Sequence, residues 1–294
     1  MAQTARSVDA ALDRLLPARS DRAEDTLFEA MRYAVMGGGK RFRPILTLAC
    51  AEVFDVAEDH ALRAAAAIEL VHCYSLIHDD LPAMDDDDLR RGQPSCHAKF
   101  GEATAILAGD ALMTLAFEVL ASPETHPDAT LRCALIARLA QAAGAQGMVA
   151  GQMIDLAAEG KTRGPRTLDA AGVAWMEGLK TGGLIAFSCE AAAILGQASD
   201  EARQAIVEFA RALGLAYQVI DDLLDAEGEA GQLGKTAGKD ARAGKATFVA
   251  VLGREGARAE AARLAVEAGQ NLDFFGKKAD LLRTMTRFVI ERRR

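Results

Sequence analysis

The sequence has few cysteines, and none is placed in a recognisable site. Five cysteines are spread singly along the 294 residues, and no two of them form a C-x-x-C pair. This distribution argues against both a disulfide framework and a zinc site, and it suits a reducing compartment. We therefore expect a cytoplasmic protein.

The chain also lacks an excess of positive charge. It carries 42 acidic and 34 basic residues, with a net charge of −8 and a pI near 5.3. A surface that binds the phosphate backbone of nucleic acids needs a basic face. A nucleic-acid partner is therefore not expected.

No long apolar run interrupts the sequence. The longest stretch without a charged residue, 139–154, has 16 residues and contains three glutamines and three glycines, whereas a membrane-spanning helix needs about 20 mostly apolar residues. The N-terminal 20 residues are broken by charges such as Arg6 and Asp9, and they lack the apolar core of a signal peptide. We expect no membrane insertion.

Strand patterns are also missing, since no long segment alternates apolar and polar residues. Most segments are rich in alanine, leucine, methionine, glutamate and arginine, with apolar residues three and four positions apart, as in helices. Glycine- and proline-containing breakers separate them, with no fixed repeat and no long linker. The sequence predicts an all-α fold: one domain over residues 1–294, a bundle of about ten helices around a central apolar cavity.

Acidic residues are concentrated at one point of this pattern. The stretch DDLPAMDDDD places six aspartates within residues 79–88. In a regular helix Asp79 and Asp85 would point about 120° apart. Pro82 cannot complete a helical hydrogen bond, so we expect the helix to end or bulge near Asp80 and the chain to bring Asp85 back beside Asp79.

A second acidic cluster occurs in YQVIDDLLD, with Asp221, Asp222 and Asp225. Asp221 and Asp225 lie one helical turn apart, where two like charges destabilise a helix unless a cation lies between them. Clusters of carboxylates without histidine or cysteine partners favour Mg²⁺, which binds through few carboxylates plus substrate phosphates. The two clusters therefore predict a magnesium site between helices.

Other interpretations of the acidic residues were weighed on spacing. A solvated acidic surface is the ordinary explanation of one such run, but two clusters within apolar helices make it less favoured. A calcium-binding EF-hand loop starting at Asp85 would have Leu89 and Arg90 at positions that need an oxygen ligand and a glycine. A di-iron bundle needs two Glu-x-x-His motifs, and the chain has one, Glu69 to His72.

Basic residues near glycines are candidate phosphate ligands. Arg90 and Arg91 follow the first acidic cluster directly, and the glycine-rich stretch GGGKRFRP can approach a ligand closely. A P-loop at GQLGKT is excluded, because Glu229 occupies the position of the first glycine and no strand precedes it. The other candidates are Lys40, Arg41, Arg43, Lys180, Lys235, Lys239 and Lys245.

These motifs together resemble the trans-isoprenyl diphosphate synthases, and within that family the bacterial farnesyl diphosphate synthases. The first aspartate-rich motif is DDLPAMDDDDLRRG and the second is DDLLD, preceded by Tyr217-Gln218 where Phe-Gln is more usual. GGGKRFRP, LKTGGL and GKATF match further family blocks in the expected order. The resemblance runs from Gly37 to the arginine-rich C-terminal end.

The resemblance implies a transferase that condenses isopentenyl diphosphate with allylic diphosphates, dimethylallyl or geranyl, to give farnesyl diphosphate. It implies three Mg²⁺ ions, for which Mn²⁺ is an alternative. The implied metal ligands are Asp79, Asp85 and Asp221, supported by Asp80 and Asp225. The implied isopentenyl diphosphate ligands are Lys40, Arg43, His72 and Arg91. The implied allylic diphosphate ligands are Arg90, Lys180, Thr181, Gln218, Lys235 and Lys245.

The implied catalytic groups are Asp79, Asp85, Asp221, Lys180, Thr181 and Gln218. The carbonyl of Thr181 and the amide oxygen of Gln218 would stabilise an allylic cation in an apolar, water-free cavity. Helix geometry agrees with two adjacent diphosphates, because His72 and Asp79 are two turns apart, about 10 Å along one helix face. Tyr74 and Ser75, just before the first motif, are candidates for the floor that limits product length.

Three other functions remain open from the sequence. Geranylgeranyl diphosphate synthases share the mechanism, and one sequence does not separate C15 from C20 products. A terpene cyclase has no use for a second diphosphate site, so Lys40, Arg43 and His72 argue against it. A non-catalytic synthase subunit is expected to lose one acidic cluster, and this chain keeps both. The resemblance also implies a homodimer.

Overall fold

The computed structural model describes residues 2–19, 21–164, 167–228 and 246–292, and this part of the chain is almost entirely helical. The first half contains α1 (Ala2–Leu15), α2 (Asp25–Met36), α3 (Phe42–Val53), α4 (Glu58–Asp79), the strands β1 (Leu89–Arg90) and β2 (Gln93–Pro94), α5 (Cys96–Phe100) and α6 (Glu102–Ala121). The second half contains α7 (Ala129–Ala143), α8 (Met148–Ala158), α9 (Ala170–Lys180), α10 (Gly182–Leu195), α11 (Asp200–Gly228), α12 (Phe248–Asn271), a 3-10 helix (Leu272–Ala279) and α13 (Asp280–Glu291).

Side-chain caps define where several of these helices begin. The side chain of Asp128 accepts a hydrogen bond from Thr130 N at the start of α7, and Asp169 accepts one from Gly172 N at the start of α9. Such caps satisfy backbone N–H groups that have no partner within the helix. Within the described residues twelve α-helices have eleven residues or more, and the all-α bundle of about ten helices is confirmed.

Two central helices organise the bundle. α10 is buried on nearly all sides, from Gly182 to Leu195, and it contacts α3, α4, α7 and α11. α4 is buried through most of its length and contacts α1, α2, α3 and α6. A helix that is apolar all round needs neighbours on every side. The alanine-rich sequences of α4 and α10 therefore explain their central positions.

Three apolar clusters fill the space between the helices. The largest joins α1, α2, α4, α6 and α7 to one side of α10. The second joins α3, α10, α11 and α13, and the third lies between α9, α11 and α12. Because α10 and α11 each contribute to two clusters, the three are linked. The division of the chain into domains stays a prediction.

One helix and one bent helix pair have the length and composition of membrane spans. α6 meets this criterion by itself, and α9 with α10 meets it as one span bent by 49°. In α6, however, Ala105, Ala108 and Leu112 are fully buried in the core cluster shared with α4. Core helices of soluble proteins have the same composition, and the absence of membrane insertion stays a prediction.

Candidate active site

The first acidic motif lies where α4 ends. α4 stops at Asp79, three residues before Pro82, and the following residues form tight turns. The amide of Asp85 donates a hydrogen bond to the carbonyl oxygen of Asp79 at 2.8 Å, and the amide of Asp87 donates one to Asp80 at 3.1 Å. The chain therefore returns Asp85 to the side of Asp79, as the position of the proline predicted.

Burial and neighbouring carboxylates act together on Asp79. Burial, opposed by Lys180 and Arg90 and assisted by the charges of Asp85 and Asp80, raises the pKa of Asp79 to about 6. A carboxylate in this position is costly unless positive charge approaches it. The end of α4 is therefore suited to receive a cation.

Asp80 faces a different partner from Asp79. It is buried, and the Arg90 Nε lies 3.0 and 3.1 Å from its two carboxylate oxygens. Arg90 belongs to the β1–β2 hairpin, whose two-residue turn, Arg91-Gly92, has positive φ at both positions. Such turns match the twist of a hairpin and favour glycine. Asp80 and Arg90 thus form one ion pair. The family resemblance implied a role in metal support for Asp80 and in diphosphate binding for Arg90.

The second acidic motif is divided between two faces of α11. Asp221 is half-buried and Asp225 is exposed. Asp222 is buried, and its two oxygens accept hydrogen bonds from Gln218 Nε2 at 3.0 Å and from the amide of Phe248 at 2.8 Å. Burial raises the pKa of Asp222 to about 7, although both hydrogen bonds oppose the shift. Asp222 thus fixes the start of α12, which leaves Asp221 and Asp225 as the candidate metal ligands.

Lys180 lies between the two motifs, at the junction of α9 and α10. Its ammonium group is 2.5 Å from a carboxylate oxygen of Asp155 on α8. Its positive charge lowers the pKa of Asp79 at the end of α4 and that of Glu177 one turn earlier on α9. The negative charge of Asp222 raises the pKa of Glu177. These interactions connect the first motif, Lys180 and the second motif around one region.

Thr181 and Gln218 meet beside this lysine. The Thr181 hydroxyl is 3.2 Å from Glu177 Oε2 and 3.3 Å from Gln218 Oε1. Gln218 in turn donates to Asp222. Two residues that the family resemblance places next to the reacting carbon are therefore in contact, and a chain of hydrogen bonds orients both of them.

A separate basic cluster surrounds His72 on α4. Burial lowers the pKa of His72 well below its usual value, and the positive charges of Arg43, Arg91 and Arg90 lower it further. The Arg43 Nε is enclosed and has no hydrogen-bond partner among the described residues. Several cations converging on one neutral imidazole form a natural anion site. The structure brings together three of the four predicted isopentenyl diphosphate ligands.

The glycine-rich loop before α3 packs against this cluster. A Cβ atom on Gly39 would lie 2.8 Å from Arg91 Nη2, so the absence of a side chain lets the guanidinium rest on the loop. Gly39 also has φ +144°, which favours glycine. Lys40 follows in this loop with an exposed side chain. Lys40 therefore follows directly after the glycine on which Arg91 rests.

Arg41 has a structural role instead of the phosphate-binding role that its sequence position suggested. Its buried guanidinium lies 2.9 Å from Glu69 and 2.8 Å from Asp9, and it donates to the Val35 carbonyl at 2.7 Å. Burying an arginine requires such partners for its charge. Arg41 thus ties α1, α2 and α4 together behind the basic cluster.

The candidate product-length residues lie one turn before the first motif. Tyr74 is buried, and its ring meets the His78 ring edge-on, with 5.7 Å between the two ring centres. Burial and the charge of Asp79 both raise the pKa of the Tyr74 hydroxyl. Ser75 donates to the carbonyl of His72 at 2.9 Å. His78 packs over α6, where a Cβ on Gly109 would lie 2.2 Å from its Nε2. These contacts hold Tyr74 in place about one helical turn before Asp79.

Four polar residues at the site were not identified from the sequence as site residues. Asp155 and Glu177 contact Lys180 and Thr181, Lys161 contacts the first acidic motif, and Arg292 lies 2.6 Å from Asp221. Asp155 and Glu177 stand out as acids in apolar helices, which was a usable signal. Lys161 comes from a turn, where sequence gives no comparable sign. For the C-terminal Arg292 the sequence left two alternatives open, a lid on the second diphosphate site and a solvated tail. Lys235, Lys239 and Lys245 lie outside the described residues.

The described part of the chain contains no group of three histidine, cysteine, aspartate or glutamate side chains close enough to hold a metal ion. The donor set nevertheless fits magnesium. Asp79 and Asp85 offer neighbouring carboxylates, and Asp221 offers a third from α11. Mg²⁺ commonly keeps water and substrate phosphate oxygens in its shell, so few protein ligands suffice.

Comparisons with known proteins identify the family to which this fold belongs. The family described as polyprenyl synthetase matches residues 24–284. Farnesyl diphosphate synthase of Escherichia coli is 44% identical over 272 residues, which cover 90% of this chain and 88% of that protein. The chloroplastic heterodimeric geranylgeranyl pyrophosphate synthase large subunit 1 of Arabidopsis thaliana is 42% identical over 97% of this chain and 76% of that protein.

A solved structure shows the same architecture. The FPP/GFPP synthase of Zymomonas mobilis superposes with a TM-score of 0.88 at 44% identity, covering 98% of this chain and 96% of that one. The fold and its acidic motifs therefore define an all-α prenyltransferase of isoprenoid biosynthesis. The chain belongs to the polyprenyl synthetase family. The resemblance drawn from the motifs is confirmed.

Proposed function

We propose that this protein is a farnesyl diphosphate synthase, which adds isopentenyl diphosphate to dimethylallyl and geranyl diphosphates and releases diphosphate. The observation that carries the proposal is the pairing of two unlike charge clusters. Asp79 of the first acidic motif lies near Lys180, Asp221 of the second lies near Arg43, and an arginine cluster surrounds His72, two helical turns from Asp79. Two diphosphate sites side by side suit a condensation of two diphosphates.

The acidic region would take the allylic diphosphate with Mg²⁺, or Mn²⁺, held by Asp79, Asp85 and Asp221, with Asp225 nearby. Bound there, the metal would supply positive charge that stabilises the departing diphosphate. Three ions are proposed from the family resemblance. Lys180 adds charge from the protein, since Asp155 holds its ammonium group in place. Arg90, Lys235 and Lys245 are proposed as further ligands of this diphosphate.

The carbon chain is proposed to react on the apolar side of these charges. Gln218 Oε1 and the Thr181 carbonyl would stabilise the allylic cation, because neither oxygen attacks carbon readily. The bonds from Thr181 and to Asp222 hold the Gln218 side chain fixed. Helices buried on all sides keep water from the cation. The isopentenyl diphosphate would lie against Lys40, Arg43, His72 and Arg91.

Other functions are less favoured. Relatives are named both farnesyl and geranylgeranyl synthases, so a C20 product is the second candidate. A terpene cyclase would not need the arginine cluster around His72. A non-catalytic subunit would not need both acidic motifs, although two relatives are named as large subunits of a heterodimer. We propose a homodimer in the cytoplasm, without a nucleic-acid or membrane partner.

One incubation separates these functions. The purified protein is mixed with Mg²⁺, isopentenyl diphosphate and geranyl diphosphate, and the products are identified by chromatography and mass spectrometry. Farnesyl diphosphate as the final product supports the proposal, and geranylgeranyl diphosphate supports the second candidate. A cyclic hydrocarbon or no consumption of isopentenyl diphosphate would overturn both. Asp79→Ala and Asp221→Ala, purified in parallel, should lose turnover by orders of magnitude, since each removes a proposed metal ligand.

A further inference from the structure

Lys161 extends from the end of α8 to the first acidic motif. Gly160 has φ +78°, and the Lys161 amide donates to the Leu156 carbonyl at 2.9 Å, which closes the turn after α8. A positive φ favours glycine at such a helix end. This turn fixes the backbone of Lys161, so that its side chain projects toward the acidic loop formed by residues 81–88.

The ammonium group of Lys161 contacts this loop in two ways. It donates a hydrogen bond to the Met84 carbonyl at 2.5 Å, and it lies 3.7 Å from Asp85 Oδ1. The loop's own hydrogen bonds, such as those donated by the amides of Asp85 and Asp87, connect it to the end of α4. Lys161 therefore adds a contact from a second helix.

A buried acid holds the lysine in this position. Glu159 Oε2 lies 2.7 Å from Lys161 Nζ, and the Glu159 side chain is only 2% exposed. The ammonium group lies closer to Glu159 than to Asp85, and the ion pair with Glu159 keeps it from pairing fully with Asp85. Asp85 thus feels a positive charge that reduces its repulsion with Asp79 but leaves room for another cation.

We propose that Lys161 is a positioning residue that holds the acidic loop, and with it Asp85, in the geometry that binds the metal. This inference rests on the proposed function, since it assigns Asp85 to a metal site. Lys161 acts through the Met84 carbonyl and through its charge, and it does not contact substrate. Its removal should loosen the loop before any metal or substrate is present.

Hydrogen exchange of the metal-free full-length protein tests the loop directly. Lys161→Met keeps the length of the side chain and removes its charge and donors. The amides of Asp85, Asp86 and Asp87 should exchange several-fold faster than in the unsubstituted protein, because they donate the hydrogen bonds that shape the loop. Lys161→Arg, which retains charge and donors, should restore most of the protection.

Lys278→Met is the matched control. Lys278 also forms a 2.7 Å ion pair, with Asp55 on the surface, so the substitution removes the same charge and a similar contact away from the loop. It should leave exchange at Asp85–Asp87 unchanged. Unchanged exchange in Lys161→Met would overturn the proposal, and this result does not depend on whether the protein makes farnesyl diphosphate.

Metal dependence is the second measurement. The Mg²⁺ concentration for half-maximal activity should rise about fivefold in Lys161→Met, because the metal must then order a loop that has lost the hydrogen bond from Lys161 to the Met84 carbonyl, and this loss outweighs the removal of a positive charge near Asp85. The rate at saturating Mg²⁺ should fall much less, because the loop can still close around the metal. Faster exchange without a higher Mg²⁺ requirement would overturn the inference that Lys161 positions Asp85 for metal binding. An inactive parent protein would instead refute the proposed function.

Discussion

The guanidinium of Arg292 lies 2.6 Å from a carboxylate oxygen of Asp221, so the last turn of the described chain reaches the second acidic motif. Arg292 also donates to the Tyr217 carbonyl at 2.7 Å and stacks on the Tyr217 ring, 3.8 Å from the ring centre. Only 4% of its side chain is exposed. Any further cation that binds Asp221 must therefore share this carboxylate with Arg292 or displace it.

Removal of this arginine should ease metal binding. In Arg292→Met the Mg²⁺ concentration for half-maximal activity should fall, by up to about fivefold, because a pair with a partly exposed carboxylate contributes at most about 1 kcal/mol. Titration of activity with Mg²⁺ measures the change. Arg287→Met, which replaces an exposed arginine on the helix that precedes Arg292, should have no such effect. A higher Mg²⁺ requirement in Arg292→Met would mean that Arg292 supports the metal site.

Product length should respond to Tyr74. Its buried ring contacts the His78 ring edge-on, and its hydroxyl is close enough to Asp79 for that charge to raise the tyrosine pKa. Each added prenyl unit has five carbons, and about 0.8 kcal/mol is gained for each buried CH₂, so only a steric block can stop growth. Tyr74→Ala should shift products beyond C15, whereas Tyr74→Phe, which keeps the ring, should not. Identical product profiles for both variants would remove Tyr74 from this role.

Local features of the sequence predicted much of the fold and of the first motif. Helical periodicity identified the bundle, and Pro82 explained why α4 ends where Asp85 can return to Asp79. Both depend on residues close together in the chain. The faces of α11 were less predictable, because Asp222 is buried by its contact with Phe248, 26 residues away. Spacing alone paired Asp221 with Asp225 on one helix face, but it did not show that Asp222 fixes the start of α12.

Tertiary contacts account for the residues that sequence reasoning misassigned or missed. Arg41 lies among the candidate phosphate ligands in the sequence, yet its guanidinium is directed to Glu69, 28 residues away. Lys161 is 77 residues from Met84, whose carbonyl it contacts. Such pairs depend on how helices pack, and a single sequence carries no local signal for them.

Close packing of α8 against α9 predicts an effect of Gly151. A Cβ at this position would lie 2.3 Å from the amide nitrogen of Lys180, so backbone must move. Gly151→Ala should lower stability by about 1–3 kcal/mol and lower turnover by about tenfold or more, since Lys180 is displaced. Denaturant unfolding and steady-state kinetics measure the two effects.

A neighbouring glycine provides the control for this substitution. Gly178 lies in α9, two residues before Lys180, and a Cβ there would meet no atom within 4 Å. Gly178→Ala should retain activity and raise stability by about 0.5–1 kcal/mol, the usual gain in a helix interior. Equal losses in both variants would show that the contact between position 151 and the Lys180 backbone is not the cause.

Glu177 should make stability depend on pH. Burial, opposed by Lys180 and assisted by the charge of Asp222, raises the pKa of Glu177 to about 8. In the unfolded chain a glutamate titrates near 4.3, so between that pH and about 8 the folded protein holds a proton that the unfolded chain has lost. The free energy of unfolding must therefore fall as the pH rises through this window. Above about pH 8, Glu177 should cause little further change.

Glu177→Gln removes this titration and nearly preserves the shape of the side chain. The variant should melt at a progressively higher temperature than the parent protein as the pH is raised from about 5 to about 8, with the difference constant beyond that. Melting curves of the two metal-free proteins at each pH measure it. Glu255→Gln, at an exposed position on α12, should give no pH-dependent difference. A Glu177→Gln difference that stays flat across the whole range would show that Glu177 is already charged in the folded protein at neutral pH, stabilised by Lys180 despite its burial.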